Sequence, residues 1–325
     1  MTLPVLRPTD PTIHRGADAG DALSEAVKLG FDGVAVGQPN LSGRAESMDG
    51  GHQTKPSDFA ASGWAITSDH LSVAYDRDPV LWNVAVRVRR SKMTGVIGPN
   101  GGGKSTLIRT LLGLQPKLSG KIRWQLDADG PVTSRPLGRD VAYVPQRAEI
   151  DWDFPITVFD LALMGTYGEL RWFARPKSIH RERAAEAIEA VGLSSVADRL
   201  IGDLSGGQQQ RAFLARAIAQ RPRMYLLDEP LAGVDVATEH SLLAILRQMR
   251  DVHGHTVVMV HHDLATATDY FDDVVLVNRE IIAQGSCDTA LCGEHLGRAF
   301  GNVACDWDCR LGRSDTACTH AIASE

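Results

Sequence analysis

The amino-acid sequence predicts an α/β fold in which helices cover a mainly parallel sheet, and three observations carry that prediction. Short apolar, β-rich runs alternate with helical patterns from Ile66 onward. A glycine-rich loop, GPNGGGKST at 98–106, stands between one such run and a helical stretch, TLIRTLLGL. No apolar run reaches the ~20 residues needed to cross a bilayer. A chain of 325 residues with 43% hydrophobic content can bury a real core, as one large or two small domains.

The strands are expected where apolar runs end in turn signals. These are MTGVIG at 93–98, VAYVP at 141–145, MYLLDE at 224–229 and TVVMVHH at 256–262. Helical patterns lie between them, including QQQRAFLARAIAQ at 208–220 and VATEHSLLAIL at 236–246. Residues 1–66 differ: they are rich in Gly, Ala, Ser, Asp and Pro, with one short helical pattern at GDALSEAVKLG, 20–30. They are expected to be a poorly ordered extension, and Met48 offers an alternative start. The net charge of −6 argues against a nucleic-acid binder that works by general phosphate neutralisation. All five cysteines lie from Cys287 onward, which suits reduced thiols, and the first residues lack a signal-peptide pattern. A cytosolic location is the expectation.

The loop at 98–106 satisfies G-x-x-x-x-G-K-[ST] in the order strand, loop, helix. Glycines let the backbone wrap phosphates, and the helix N-terminus adds partial positive charge. Lys104 is expected on the β and γ phosphates and Ser105 on Mg²⁺. The rival reading is a ligand-free glycine turn. MYLLDE ends in two acids, of which Asp228 fits a Mg²⁺ partner and Glu229 a base or water-orienting residue. Alone, such a pair is more often a turn or a cap.

LSGGQQQR at 204–211, lying between these two signals, completes a resemblance to the ATP-binding subunits of ABC transporters over about 66–301. The resemblance implies a P-loop NTPase fold with a mainly parallel core sheet, an antiparallel β subdomain and an α-helical signature subdomain at about 147–222. It also implies a homodimer in which the phosphate loop of one copy and LSGGQ of the other close over one ATP. Carried over position by position, it gives ATP contacts at Tyr75, Gly98, Pro99, Asn100, Gly101, Gly102, Gly103, Lys104, Ser105, Thr106, Leu204, Ser205, Gly206, Gly207, Gln208, Asp228 and Asp235. Tyr75 matches the aromatic that stacks on adenine, with a core tyrosine as its rival. Asp235 matches an aspartate at the dimer interface, with a helix cap as its rival. Glu229, Gln146 and His262 take catalytic roles, and Ser105, Gln146 and Asp228 surround the Mg²⁺ of MgATP. His261 is assigned a structural role, because the family pattern puts the switch histidine directly before the Asp, here Asp263.

The run YVPQRAEIDWDFPITVFDLALMGTYG, from Tyr143, together with RWFARP at 171–176, is similar to the subgroup that imports manganese, zinc or iron. That similarity implies a separate integral membrane permease, an extracytoplasmic metal-binding protein, and a place on the cytoplasmic face of the membrane. Trp152 and Phe154 are then expected to form an apolar anchor for the permease, unless they pack inside the helical subdomain. The alternatives are an ABC subunit for another solute, such as an iron chelate or cobalamin, and a soluble ABC ATPase. Cys305, Cys309, Cys318 and His320 have only loosely zinc-like spacing, and residues 302–325 are expected to be a flexible tail without a metal.

Every ATP-site motif lies beyond residue 47, so a chain started at Met48 should keep full transport and ATPase activity. Loss of either in the truncated protein would show that the extension is part of the machine.

Overall fold

The computed structural model describes residues 63–301, apart from residues 77, 137, 172 and 173. The helical pattern at 20–30, Met48, the tail with Cys305, Cys309, Cys318 and His320, and Trp172 and Phe173 of RWFARP lie outside the described residues.

The chain begins with strands β1 (Trp64–Tyr75), β2 (Asp78–Val84), β3 (Arg87–Arg89), β4 (Met93–Ile97) and β5 (Ser119–Trp124). β2, β3 and β5 all pair antiparallel with β1, whose register shifts at several points bend it enough to serve three neighbours. Because Ala65 and Ile66 are fully buried in this lobe, it starts at Trp64 rather than at Thr67. The later strands are β6 (Val141–Val144), β7 (Met224–Leu227), β8 (Thr256–Val260), β9 (Asp273–Asn278) and β10 (Glu280–Ser286). With β4 they form a sheet of order β10-β9-β4-β8-β7-β6, parallel except for the β9–β10 pair.

Both faces of this sheet are covered, which is why β4, β7 and β8 are buried at every position and almost wholly apolar instead of alternating. Successive side chains feed different cores. Ile97, Leu227, Val257, Met259 and Leu276 join one core, while Val96, Leu226, Val258, Val260 and Val275 join the other. The second core lies under the antiparallel lobe. Helix α1 (Lys104–Leu112) adds Leu107, Ile108 and Leu111 to it, each contributing on the order of 2 kcal/mol by burial.

The first core is built with helices α2 (Val158–Met164), α3 (Ser178–Ala190) and α4 (Gly206–Ala219), which pack on one another. Thr157 caps α2 by accepting the N–H of Asp160 at 3.1 Å. Ala184 and Ala187 of α3 and Ala212 and Ala215 of α4 are buried small residues that suit close helix approach. Helix α5 (Val236–His253) starts at Asp235, which accepts the N–H of Thr238 at 3.0 Å, and stops at Gly254 with φ 67°. Its Leu242, Leu243, Leu246 and Met249 face the same core. Helices α6 (Leu264–Tyr270), α7 (Cys287–Ala290) and α8 (Gly293–Phe300) complete the described chain. Among the described residues no helix is long and apolar enough to cross a membrane.

Two aromatic residues settle differently from the anchor expected for them. Trp152 is half-buried, meets Phe213 of α4 edge-on at 5.4 Å, and donates its indole N–H to the carbonyl of Arg147 at 3.1 Å. Phe154 also packs against the first core. An indole needs a polar partner for its N–H, and here that partner lies inside the fold.

Gly98 marks the place where β4 leaves the sheet. A Cβ on it would lie 1.9 Å from the carbonyl oxygen of Val277 in β9, which belongs to the sheet backbone and cannot yield. Gly98→Ala is therefore expected to lower the unfolding free energy by about 3 kcal/mol, read as a reduced urea midpoint. An unchanged midpoint would show that this contact does not set the spacing.

Candidate functional site

The phosphate loop follows the buried strand β4 and turns on Gly101 (φ 75°) and Gly103 (φ 95°), left-handed conformations that favour glycine. Gly103 forms the N-terminal cap of α1, so Lys104 and Ser105 stand in its first turn. The ammonium of Lys104 donates to the carbonyls of Gly98 and Pro99, both at 2.9 Å, curling the side chain over its own loop. Burial lowers the pKa of Lys104, while the charges of Glu229 and Asp228 act in the opposite sense.

Strand β7 brings the two acids. The N–H of Asp228 still pairs in register with the carbonyl of Val144 at 2.9 Å, and its side chain is fully buried. One carboxylate oxygen accepts the hydroxyl of Ser105 at 2.9 Å; the other is buried without a hydrogen-bond partner. Burial raises the pKa of Asp228 against the Ser105 bond and the charges of Arg109 and Lys104. Glu229 then adopts φ 50°, a conformation that costs a non-glycine residue of order 1 kcal/mol or more and turns it off the strand line. Its carboxylate accepts the carboxamide N–H of Gln146, just beyond β6, at 2.9 Å.

These residues surround one cleft of about 540 Å³, lined by Val80, Asn100, Gly101, Gly103, Lys104, Ser105, Thr106, Gln146 and Glu229. Tyr75 stands at its edge, 41% exposed, with its hydroxyl 3.4 Å from that of Thr106. Exposure at that level does not fit a core tyrosine. Among the described residues no cluster of three or more His, Cys, Asp or Glu could hold a metal ion. The Ser105 hydroxyl, the orphaned oxygen of Asp228 and the Gln146 carboxamide are instead a hard-oxygen set, suited to a Mg²⁺ that takes its remaining ligands from phosphate and water.

The signature residues do not line this cleft. Leu204 is buried, whereas Ser205 caps α4 in a reciprocal pair with Gln208: the Gln208 N–H donates to the Ser205 hydroxyl at 3.4 Å, and the Ser205 N–H donates to the side-chain carbonyl of Gln208 at 3.0 Å. Asp235 is engaged in capping α5, where the N–H and hydroxyl of Thr238 hold its carboxyl below the usual range.

Comparison with known proteins agrees with this geometry. A protein-family model described as ABC transporter matches residues 81–232. The zinc transport system ATP-binding protein TroB of Treponema pallidum is 47% identical over 247 residues, covering 75% of this chain and 90% of TroB. The manganese transport system ATP-binding protein MntB of Bacillus subtilis is 45% identical over 237 residues, covering 73% of this chain and 92% of MntB. The chain belongs to the ABC transporter family. It is an ATP-binding subunit of that family, and its enzymatic activity is ATP hydrolysis coupled to transport. A solved chain from an ABC transporter assigned to the metal-chelate type, in an inward-facing conformation, has a TM-score of 0.64 at 28% identity, covering 73% of this chain and 89% of its own. A dimeric cassette bound to ADP and Pi shares the fold, with a TM-score of 0.60 at 24% identity, covering 68% of this chain and 98% of its own.

In this ABC subunit, Val80 is a cleft residue that sequence reasoning missed. Val80 lies on β2, in a lobe whose pairings carry no spacing signal. The two histidines after β8 separate clearly. His262 is exposed, whereas His261 is buried, its Nε2 2.8 Å from the hydroxyl of Thr266. Burial, with a smaller push from His262, holds the His261 pKa down at about 4 against the opposing charge of Asp263. An unfolded histidine titrates near 6.5, so the stabilisation from neutral His261 is full above that pH and is lost as pH falls from about 6.5 through about 4. His261→Gln should therefore flatten the fall of the urea midpoint across that window. An equal slope in variant and wild type would assign the acid sensitivity elsewhere.

Proposed function

We propose that this subunit energises import of a divalent metal ion, manganese or zinc, by hydrolysing ATP beneath a separate membrane permease. The observation that carries the reading is the 47% and 45% identity to subunits named for zinc and manganese transport, over most of each protein. The run Val144–Val158, with its Gln146, acids and aromatics, points the same way. An extracytoplasmic metal-binding protein would deliver the ion, and the permease would hold the subunit at the cytoplasmic face of the membrane.

The cleft suggests how each side chain works. Lys104 exchanges the carbonyls of Gly98 and Pro99 for phosphate oxygens, and loop N–H groups from Asn100 to Thr106 complete the cradle. Tyr75 offers its exposed ring to the adenine. Ser105, Asp228 and Gln146 would hold Mg²⁺, which neutralises phosphate charge when bound. Glu229, once released by Gln146, orients the attacking water and accepts its proton. His262 reaches the γ-phosphate from the end of β8. Ser205, Gly206, Gly207 and Gln208, with Asp235, meet the nucleotide held by a second copy, so the site is completed only in the homodimer. Those γ-phosphate contacts are lost on cleavage, giving the differential free energy that drives the permease between its two states.

Glu229→Gln keeps the shape of the side chain and removes its basicity. It should bind ATP normally while turnover in the assembled transporter falls by about 10²-fold or more. Lys104→Ala should act earlier, weakening nucleotide binding itself. Wild-type turnover in Glu229→Gln would refute the assignment of the base, and loss of the chain without loss of manganese or zinc uptake would refute the cargo.

A further inference from the structure

Arg147 follows the cleft glutamine directly and points elsewhere. Its guanidinium donates to the side-chain carbonyl of Gln209 in α4 at 2.9 Å and lies over the ring of Trp152, 5.6 Å from its centre. Gly206, the first residue of α4, faces it so closely that a Cβ there would lie 2.9 Å from a guanidinium nitrogen. Gly233, in the turn after Glu229, would bring a Cβ to 3.8 Å from the same nitrogen. Among the described residues no carboxylate forms an ion pair with Arg147. A half-buried cation at the positive end of a helix dipole is not stabilised by that position, so its place is set by the carboxamide and the ring.

The contacts continue on both sides. The carboxamide N–H of Gln209 donates to the carbonyl of Ile201 at 3.1 Å, and the indole of Trp152 donates to the Arg147 carbonyl while its ring abuts Phe213. Consecutive residues thus serve two places: Gln146 holds the acid of the cleft, and Arg147 holds the first turns of the signature helix. We propose that Arg147 is a positioning residue that ties the loop carrying Gln146 to the start of α4, so that a displacement of Gln146 on nucleotide binding carries Ser205 and Gly206 with it. This rests on the roles proposed above for Gln146 and Ser205. The planar fork and its stacking on Trp152 make the tie, and the charge alone does not.

The test uses the purified full chain and compares Arg147→Met, Arg147→Lys, Gln209→Ala and the double variant Arg147→Met/Gln209→Ala. Measurements are made well below the lowest thermal midpoint of the set. Affinity for a fluorescent ATP analogue should stay within about twofold of wild type, because Arg147 does not line the cleft. ATP turnover should fall about tenfold in each single variant, the size of one charge-assisted hydrogen bond. The double variant should lose no more than Arg147→Met alone, as expected for partners in one contact. Full activity in Arg147→Lys, additive losses in the double variant, or nucleotide affinity falling in step with turnover would each overturn the inference. Glu229→Gln in the same assay tests the proposed function separately: its failure to slow turnover would remove the assigned base, while the Arg147–Gln209 coupling would still be read from its own cycle.

Discussion

The parallel pairing of β4, β8, β7 and β6 is the constraint on which the site depends. Parallel strands end at the same edge of a sheet, and here each of the four is followed by residues assigned to the site from sequence: Lys104 and Ser105 after β4, His262 after β8, Asp228 and Glu229 after β7, Gln146 after β6. Ser105 and Asp228, 123 positions apart in sequence, are brought within hydrogen-bond distance by the order of these strands. The register in turn depends on burial, because a sheet covered on both faces leaves no solvent face onto which a slipped strand could turn its side chains. Gly98, pressed against the carbonyl of Val277, is where that packing meets the phosphate loop.

The polar groups of the cleft largely satisfy one another. Lys104 is held by loop carbonyls, Ser105 by Asp228 and Glu229 by Gln146. The exception is the second oxygen of Asp228, buried and unpartnered, with burial pushing the pKa of the group up. An orphaned carboxylate oxygen is costly in a settled structure, and it is a natural place for a cation to arrive with its nucleotide. The left-handed backbone of Glu229 fits the same logic, since strain at this point aims a side chain that a regular strand would have turned away.

Much of this was legible from sequence because its causes are local. A glycine loop between a strand and a helix, an apolar run ending in two acids, and the LSGGQQQR run each have a fixed spacing that a chain cannot vary. The antiparallel lobe was less legible. β1 pairs with three partners through register shifts, and nothing in its alternation announces the bulges that allow this or the early start at Trp64. Tyr75 could be matched by motif, whereas Val80 enters the cleft only because β2 folds back across β1. Arg147 was invisible for another reason: its partners Gln209, Gly206 and Gly233 lie 59 or more positions away and carry no shared pattern.

The stretch Val144–Val158 shows how residue type alone can mislead. Its aromatics suggest an outward anchor, yet Trp152 spends its ring on Phe213 and Arg147 and its N–H on a backbone carbonyl. The acids beside them behave oppositely: Asp151 and Asp153 are exposed, and the side chain of Asp151 accepts the N–H of Asp153 at 3.1 Å, a local turn that leaves both carboxylates in solvent. Alternation along the run therefore turns aromatic side chains toward the helical subdomain and charge outward. The outer surface of this run presents carboxylates, above half-buried aromatic rings that pack against α4 and the first core.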